Sequence, residues 1–491
     1  MDDATDATPP RPEQRGDAGT AGTGPDPHPS GGPARRRRGV LLASVAGCAV
    51  LGGVLALLPW GRGPERPPEP EPWARARAAV TAGVPAALPD LDALLEEHRR
   101  RVRDDPRDAV SWAVLGAARV ERGRRLADPA SYSRAEEALR TSLKVRPEGN
   151  APALRGLAAL ANARGDHGRA RAWGEAARKL EPGRWTSYPP LIEACAGLGD
   201  HKAVGPLLER LVELRKGPVV KARKAAVYRD RGWREDAAAQ IADAAAGASG
   251  PAERAAYLER AGQLAWERGE RESALAHFRA AVRTDPDQRA ALAGEARALT
   301  ALGRTTEALS AHRIALEKQP LPEYALELGE LYASLGMEQA AGVQYDLVRE
   351  LVRKAAAHGV AGDLVLGRLE ADHGDAGAAV RRLRAEYRRR PSAAVADALG
   401  WALHREGRHA EALRYAVRAT EGEHGGGARV ALHVFHRGMI ERALERPGPA
   451  RRHLREALRI NPWFSPLRVP EAKAALARLG EPSVAAGPES S

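Results

Sequence analysis

The sequence predicts an all-α solenoid, built by stacking one kind of helical hairpin along 491 residues. Three observations predict it. Glycine returns at Gly165, Gly199, Gly232, Gly269, Gly303, Gly336, Gly374 and Gly407, with gaps of 34, 33, 37, 34, 33, 38 and 33 residues. Small residues and a proline keep fixed offsets from it: after Gly303 come Ala308, Ala315 and Pro320 at 5, 12 and 17 residues, and after Gly269 come Ala274, Phe278, Ala281 and Pro286. The pattern covers roughly 70% of the chain, between about Asp108 and Pro462. A period near 34 marks a hairpin that cannot bury its apolar face alone and must stack on the next. Such a core grows by addition, so chain length sets no limit on it.

Taken in order, residues 1–38 are rich in Pro, Gly, Asp and Thr and end in Arg35 to Arg38, a composition expected of a disordered, basic-ended tail. Residues 39–59 carry twenty uncharged, mostly apolar positions from Gly39 to Leu58, about 30 Å of helix, enough for one membrane crossing. Four arginines precede it, whereas Arg62 and Arg66 after it are mixed with Glu65, Glu69 and Glu71. The positive-inside rule therefore places the N-terminus in the cytoplasm and the repeats outside, in a single-pass protein of the cell membrane, with Trp60 at the interface. Two other readings of the segment stay open: a cleaved export signal, and a lipoprotein box at Val45 to Cys48 with Cys48 lipidated. Residues 60–88, with the run Pro64 to Pro72, are expected as a Pro-rich linker. The solenoid with its capping helices is expected over 89–480, and a disordered tail over 481–491.

Within the solenoid about ten copies of the hairpin are expected. Trp112, Leu115 and Gly116, then Ala135, Leu139 and Pro147, keep the pattern once seven extra residues near Arg124 to Ala130 are allowed as a longer turn. Leu328, Gly329 and Tyr332 precede Gly336, with Ala341 and Tyr345 after it; Leu399, Gly400, Ala412 and Ala419 surround Gly407. In the last copy Gly438, Ala450, Leu454, Ala457 and Pro462 hold their places, and the turn glycine is replaced near Glu445. Three copies are poor: near Thr186 to Leu214, near Lys221 to Ala244, where Lys221 and Lys224 stand at apolar positions, and after the irregular stretch Val352 to Gly362. Ala472, Ala475, Leu476 and Leu479 at helical spacing predict a closing helix.

These residues resemble the tetratricopeptide repeat (TPR) family. The resemblance implies a right-handed α-solenoid, with small residues where two helices approach closely and the first helix of each pair on the inner wall. It also implies groove-facing positions, which fall here on Arg155, Asn162, Glu259, Gln263, Trp266, Arg297, Glu330, Arg368, Asp397, Trp401 and His404, and then on Leu432, Phe435 and Met439. The implied ligand is an extended peptide or a helix of a protein partner. Trp401, Leu432, Phe435 and Met439 form an apolar patch that is either a binding hot spot or the landing site of the closing helix. Membrane-tethered proteins of this kind often hold components of envelope machinery. The closing stretch from Gly438, Met439 and Ile440 through Asn461 to Leu467 also resembles the end of exported actinobacterial repeat proteins, which leaves accessory binding in metal transport as an alternative.

Chemistry is sparse. No metalloprotease helix, phosphate loop with its lysine, nucleophile elbow or paired-cysteine motif occurs, so neither an enzyme nor a cofactor is expected. Gly197 to Lys202 imitates a phosphate loop but belongs to a hairpin corner, and Cys195 is expected as a small core residue. His433 and His436, three apart, could share a metal with Glu441, although packing is the commoner use of such a pair. The 76 basic against 64 acidic residues leave room for an anionic surface polymer as a partner; no nucleic-acid partner is expected.

Overall fold

In the computed structural model the described residues are 69–421 and 427–480. The expected membrane segment 39–59 and both tails lie outside them. Among the described residues no helix is long and apolar enough to cross a membrane. The described residues from Pro70 onward belong to one compact unit.

Ten antiparallel hairpins stack in sequence, with inner and outer helices alternating. They are Ala109–Leu126 with Pro129–Val145, Ala151–Ala163 with His167–Leu180, Tyr188–Gly197 with His201–Leu214, Pro218–Asp230 with Arg234–Ala246, and Pro251–Glu267 with Arg271–Thr284. The next five are Arg289–Ala301 with Thr305–Lys318, Pro322–Ser334 with Glu338–Ala356, Asp363–His373 with Ala376–Arg389, Ala393–Arg405 with His409–Thr420, and Ala431–Ala443 with Pro447–Ile460. The pair Pro72–Ala82 and Leu88–Asp104 precedes them, and Arg468–Leu479 closes the stack. Asp108, Asp128, Asn150, Asp166, Asp200 and Asp375 each accept a backbone N–H at the start of a helix.

The small residues sit where the helices approach most closely. Phe278, fully buried, is wedged against Gly262 of its own hairpin and Gly294 of the next. Leu139 lies in the same way against Gly116 and Gly156, and Tyr345 against Gly329. Seven of the eight turn glycines adopt a left-handed backbone, with φ between 73° and 83°; Gly374, at φ −157°, is the exception. In the last hairpin Glu445 takes that conformation, φ 54°, on an exposed corner. Since a side chain there strains the backbone by about 1–2 kcal/mol, Glu445→Gly is expected to raise stability by roughly 1 kcal/mol, a gain readable in urea unfolding.

Four local expectations are revised. The stretch 60–88 is not all linker: Pro72–Ala82 is helical, because Pro72 starts a run of good helix formers and Trp73 packs under the Arg101 guanidinium, 5.3 Å away. The solenoid accordingly starts before residue 89. The extra residues at 124–130 do not form a long turn; they lengthen the flanking helices, which meet at Ala127, φ 50°. The start of the irregular stretch is likewise the end of the 19-residue helix Glu338–Ala356. The weak hairpin 218–246 forms normally, with Lys221 paired to Asp243 (2.9 Å) and Lys224 over the Tyr228 ring (5.5 Å). Cys195 is buried in the core.

About 195 residues complete one turn of the superhelix, and successive turns touch. The Asn461 side chain donates to the Trp266 carbonyl (2.8 Å), Arg234 to the Arg429 carbonyl (2.6 Å), and Gln319 to the Arg124 carbonyl (2.9 Å). The Ala361 amide donates to the Arg164 carbonyl (2.8 Å), and Arg125 and Asp285 form a buried ion pair at 2.8 Å. Along this seam Gly165, Gly199, Gly232 and Gly269 face the loops of the following turn: a side chain at Gly232 or Gly269 would collide with Gly427 or Pro462, and one at Gly165 or Gly199 would press tightly on Ala361 or Pro391. Gly303, Gly336 and Gly407, in the second turn, face open space.

Candidate functional site

The inner wall of the second superhelical turn lines a half-open chamber of about 540 Å³. Six consecutive first helices each contribute to it at helical spacing, the face a 3.6-residue period turns inward: Trp266; Arg297 and Thr300; Glu323, Glu327 and Glu330; Arg368 and Asp372; Asp397 and Trp401; Leu432 and His436. The floor is the segment from Pro462 to Pro470, which carries Trp463, Phe464 and Arg468 inward.

Seven of the fourteen groove residues expected from sequence therefore meet in one place: Trp266, Arg297, Glu330, Arg368, Asp397, Trp401 and Leu432. The other seven lie elsewhere. Arg155 lines a separate cavity of about 140 Å³, where Val80 to Gly83 of the N-terminal pair reach the inner face of the first turn beside Glu193 and Arg223. Asn162 is spent on packing, donating to the Pro190 carbonyl (2.8 Å). Gln263 accepts from Arg297 (3.0 Å) and donates to Glu267 (3.0 Å). Glu259, on the same helix, has its carboxyl pushed up by burial. His404 stacks on Trp401 with centroids 5.0 Å apart, and burial followed by His409 lowers it to about 3.

Phe435 is wholly buried, so it forms no part of an open groove. Trp401 keeps only 3% of its surface, and Met439 is equally covered. The closing segment is the cause. Phe464 packs on Phe435 (5.5 Å between centroids), the Arg468 guanidinium lies over Trp401 (5.4 Å), and Ala472 and Ala475 seal the same core. The apolar patch is thus the landing site of the closing helix.

The histidine pair does not join Glu441. His436 Nδ1 meets Asp397 at 3.0 Å and His433 Nε2 lies 3.6 Å from the same carboxylate. Glu441 instead accepts from His453 (2.6 Å) and Arg437 (3.2 Å). Among the described residues no group of three or more metal-type side chains is assembled. Burial alone would raise the Asp397 carboxyl, but the two histidines hold it at about 2. Asp372 accepts from Trp401 Nε1 (2.8 Å) and pairs with Arg468 (2.5 Å).

Glu330 is different. It makes no hydrogen bond or ion pair among the described residues, and burial, then the Asp372 charge, push it up to about 7 from an ordinary 4.5. Between those two values the folded chain binds the extra proton. Stability is therefore highest below pH 4.5 as far as this group is concerned, and is lost as pH rises through 7. Glu330→Gln should flatten the pH dependence of the urea midpoint between pH 5 and 8; an unchanged slope would disprove the assignment.

Sequence reasoning missed Glu327, Asp372, His436 as a chamber residue, Trp463 and Arg468. Glu327 stands one position-set from Glu330, and Asp372 one turn from Arg368, so a wider inward stripe would have included both. Trp463 and Arg468 follow the last hairpin, where the repeat period stops.

No protein-family model matches the chain, and no curated protein matches it. Solved structures to which it is similar include a tetratricopeptide repeat protein from Parabacteroides merdae, at 19% identity over 53% of this chain and 97% of that one, TM-score 0.32. The human IFIT1 dimer with PPP-AAAA is similar at 14% identity over 74% and 94%, TM-score 0.40, and yeast Tom70 at 12% over 74% and 96%, TM-score 0.34. The likeness is one of helical-repeat architecture; the solenoid itself stands on the ten hairpins above.

Proposed function

We propose that this chain is a scaffold that captures a protein or peptide partner in the chamber of its second superhelical turn, without catalysing a reaction. The chamber carries the proposal, because six successive inner helices and the closing segment converge on one concave, half-open, aromatic and charged space. Asp372 and Asp397 are already engaged by Arg468, Trp401 and the histidines, which favours binding over acid–base chemistry. The apolar run 39–59 and its flanking arginines support a finer reading: a single-pass anchor holding the solenoid outside the cytoplasmic membrane, where it helps assemble an envelope complex.

A photo-crosslinking residue at Thr300, inside the chamber, should trap a protein in cells. The same residue at Val343, 64% exposed on an outer helix, should not. Equal yields at both positions, or none at Thr300, would remove the proposal. Protease added to intact cells should digest the hairpins; their protection would reverse the topology.

A further inference from the structure

Resting on the reading of the chamber as the binding site, we infer that the group it receives is a cation, the guanidinium or ammonium of an extended peptide side chain, paired with Glu330 and flanked by Trp266. Charge complementarity is the first reason. The whole chain carries 76 basic and 64 acidic residues, yet the chamber is lined by five carboxylates, Glu323, Glu327, Glu330, Asp372 and Asp397, against three guanidiniums. Two of the three are occupied: Arg297 donates to Gln263 and approaches Glu327 at 3.8 Å, and Arg468 is bound by Asp372, while Arg368 lies in the fields of both Asp397 and Glu330.

The unsatisfied groups are the second reason. Glu330, partly buried, makes no hydrogen bond or ion pair among the described residues, with Arg468 and Arg368 acting on it only through their fields, and Glu327 Oε2 is buried without a hydrogen bond. A buried acceptor without a donor is costly, and a ligand that supplies N–H groups relieves that cost. His312, 2% exposed, also lines the chamber and leaves Nδ1 without a partner; burial lowers it to about 4, so it adds no positive charge. Third, the chain already seats two cations in this wall. Arg468 lies over Trp401 and on Asp372, and Arg271 lies over Trp463 at 4.1 Å, so the ring and carboxylate left open beside them are those of Trp266 and Glu330.

The test is isothermal titration of the full chain in dodecyl maltoside at pH 8, where Glu330 is ionised, with the blocked peptide Ala-Leu-Arg-Leu-Ala. The citrulline peptide, equal in shape but uncharged, should bind roughly tenfold more weakly or worse, as expected for loss of a charge-assisted bond. Glu330→Gln should abolish that preference without lowering the melting temperature, while Glu330→Asp keeps part of it. Equal binding of the arginine and citrulline peptides, tighter binding of a glutamate peptide, or a preference that survives in Glu330→Gln would overturn the inference. No binding of any peptide at millimolar concentration would overturn it too. If Thr300 still traps a protein in that case, the scaffold reading stands; if it does not, both fall.

Discussion

Replacing Phe435 by alanine is expected to cost about 3–5 kcal/mol, because the ring is fully enclosed and its removal leaves a cavity at the centre of the last core. Trp401, His436 and Phe464 all rest on it, with centroids 5.9, 5.6 and 5.5 Å away. The loss should be read as a lower urea midpoint, together with faster amide exchange in Ala393–Arg405 and Ala431–Ala443. A groove-wall phenylalanine would behave otherwise, weakening partner capture while leaving the midpoint within about 0.5 kcal/mol of the parent, as surface substitutions do. One variant therefore separates a covered end from an open hot spot.

The second large effect is expected at the seam. Gly232 has φ 79° and abuts the backbone of Gly427 in the next superhelical turn, whereas Gly303 has φ 73° and meets nothing within 4 Å. Gly303→Ala should cost only the left-handed backbone, about 1–2 kcal/mol. Gly232→Ala must bear that cost and also part the two turns, losing the Arg234 and Ala428 hydrogen bonds that cross there. Its midpoint should fall below that of Gly303→Ala, and trypsin should cut faster near Arg429. Identical behaviour of the two variants would mean that the turns do not hold each other.

The hairpins were legible because their code is local. A glycine for the turn, alanines for close approach and a proline for the end all act within one 34-residue unit, so offsets from Gly303 alone place its neighbours. The inner wall was half legible for the same reason: Arg297, Glu330 and Arg368 follow from the phase of their helices. What lay hidden is set by small rotations between hairpins, summed over six of them. No local pattern announces that Trp266 will meet Asn461, or that Val80 to Gly83 will reach the inner face beside Arg155. Phe435 was misplaced for a related reason. Its position faces inward in any middle hairpin, and only the course of the chain after Pro462 determines that it is roofed over.

The seam has a thermodynamic consequence. In an open solenoid each repeat is energetically coupled to its two neighbours, so such arrays melt piecemeal from their ends. Here the fifth hairpin is latched to the end of the tenth through Trp266 and Asn461, and the first to the sixth through Arg124 and Gln319. The chain thereby becomes a two-dimensional lattice rolled into a tube, in which fraying one end also unties the middle. Unfolding should be sharper than repeat number alone implies, and assembly slower, because contacts 195 residues apart must close before the tube is complete.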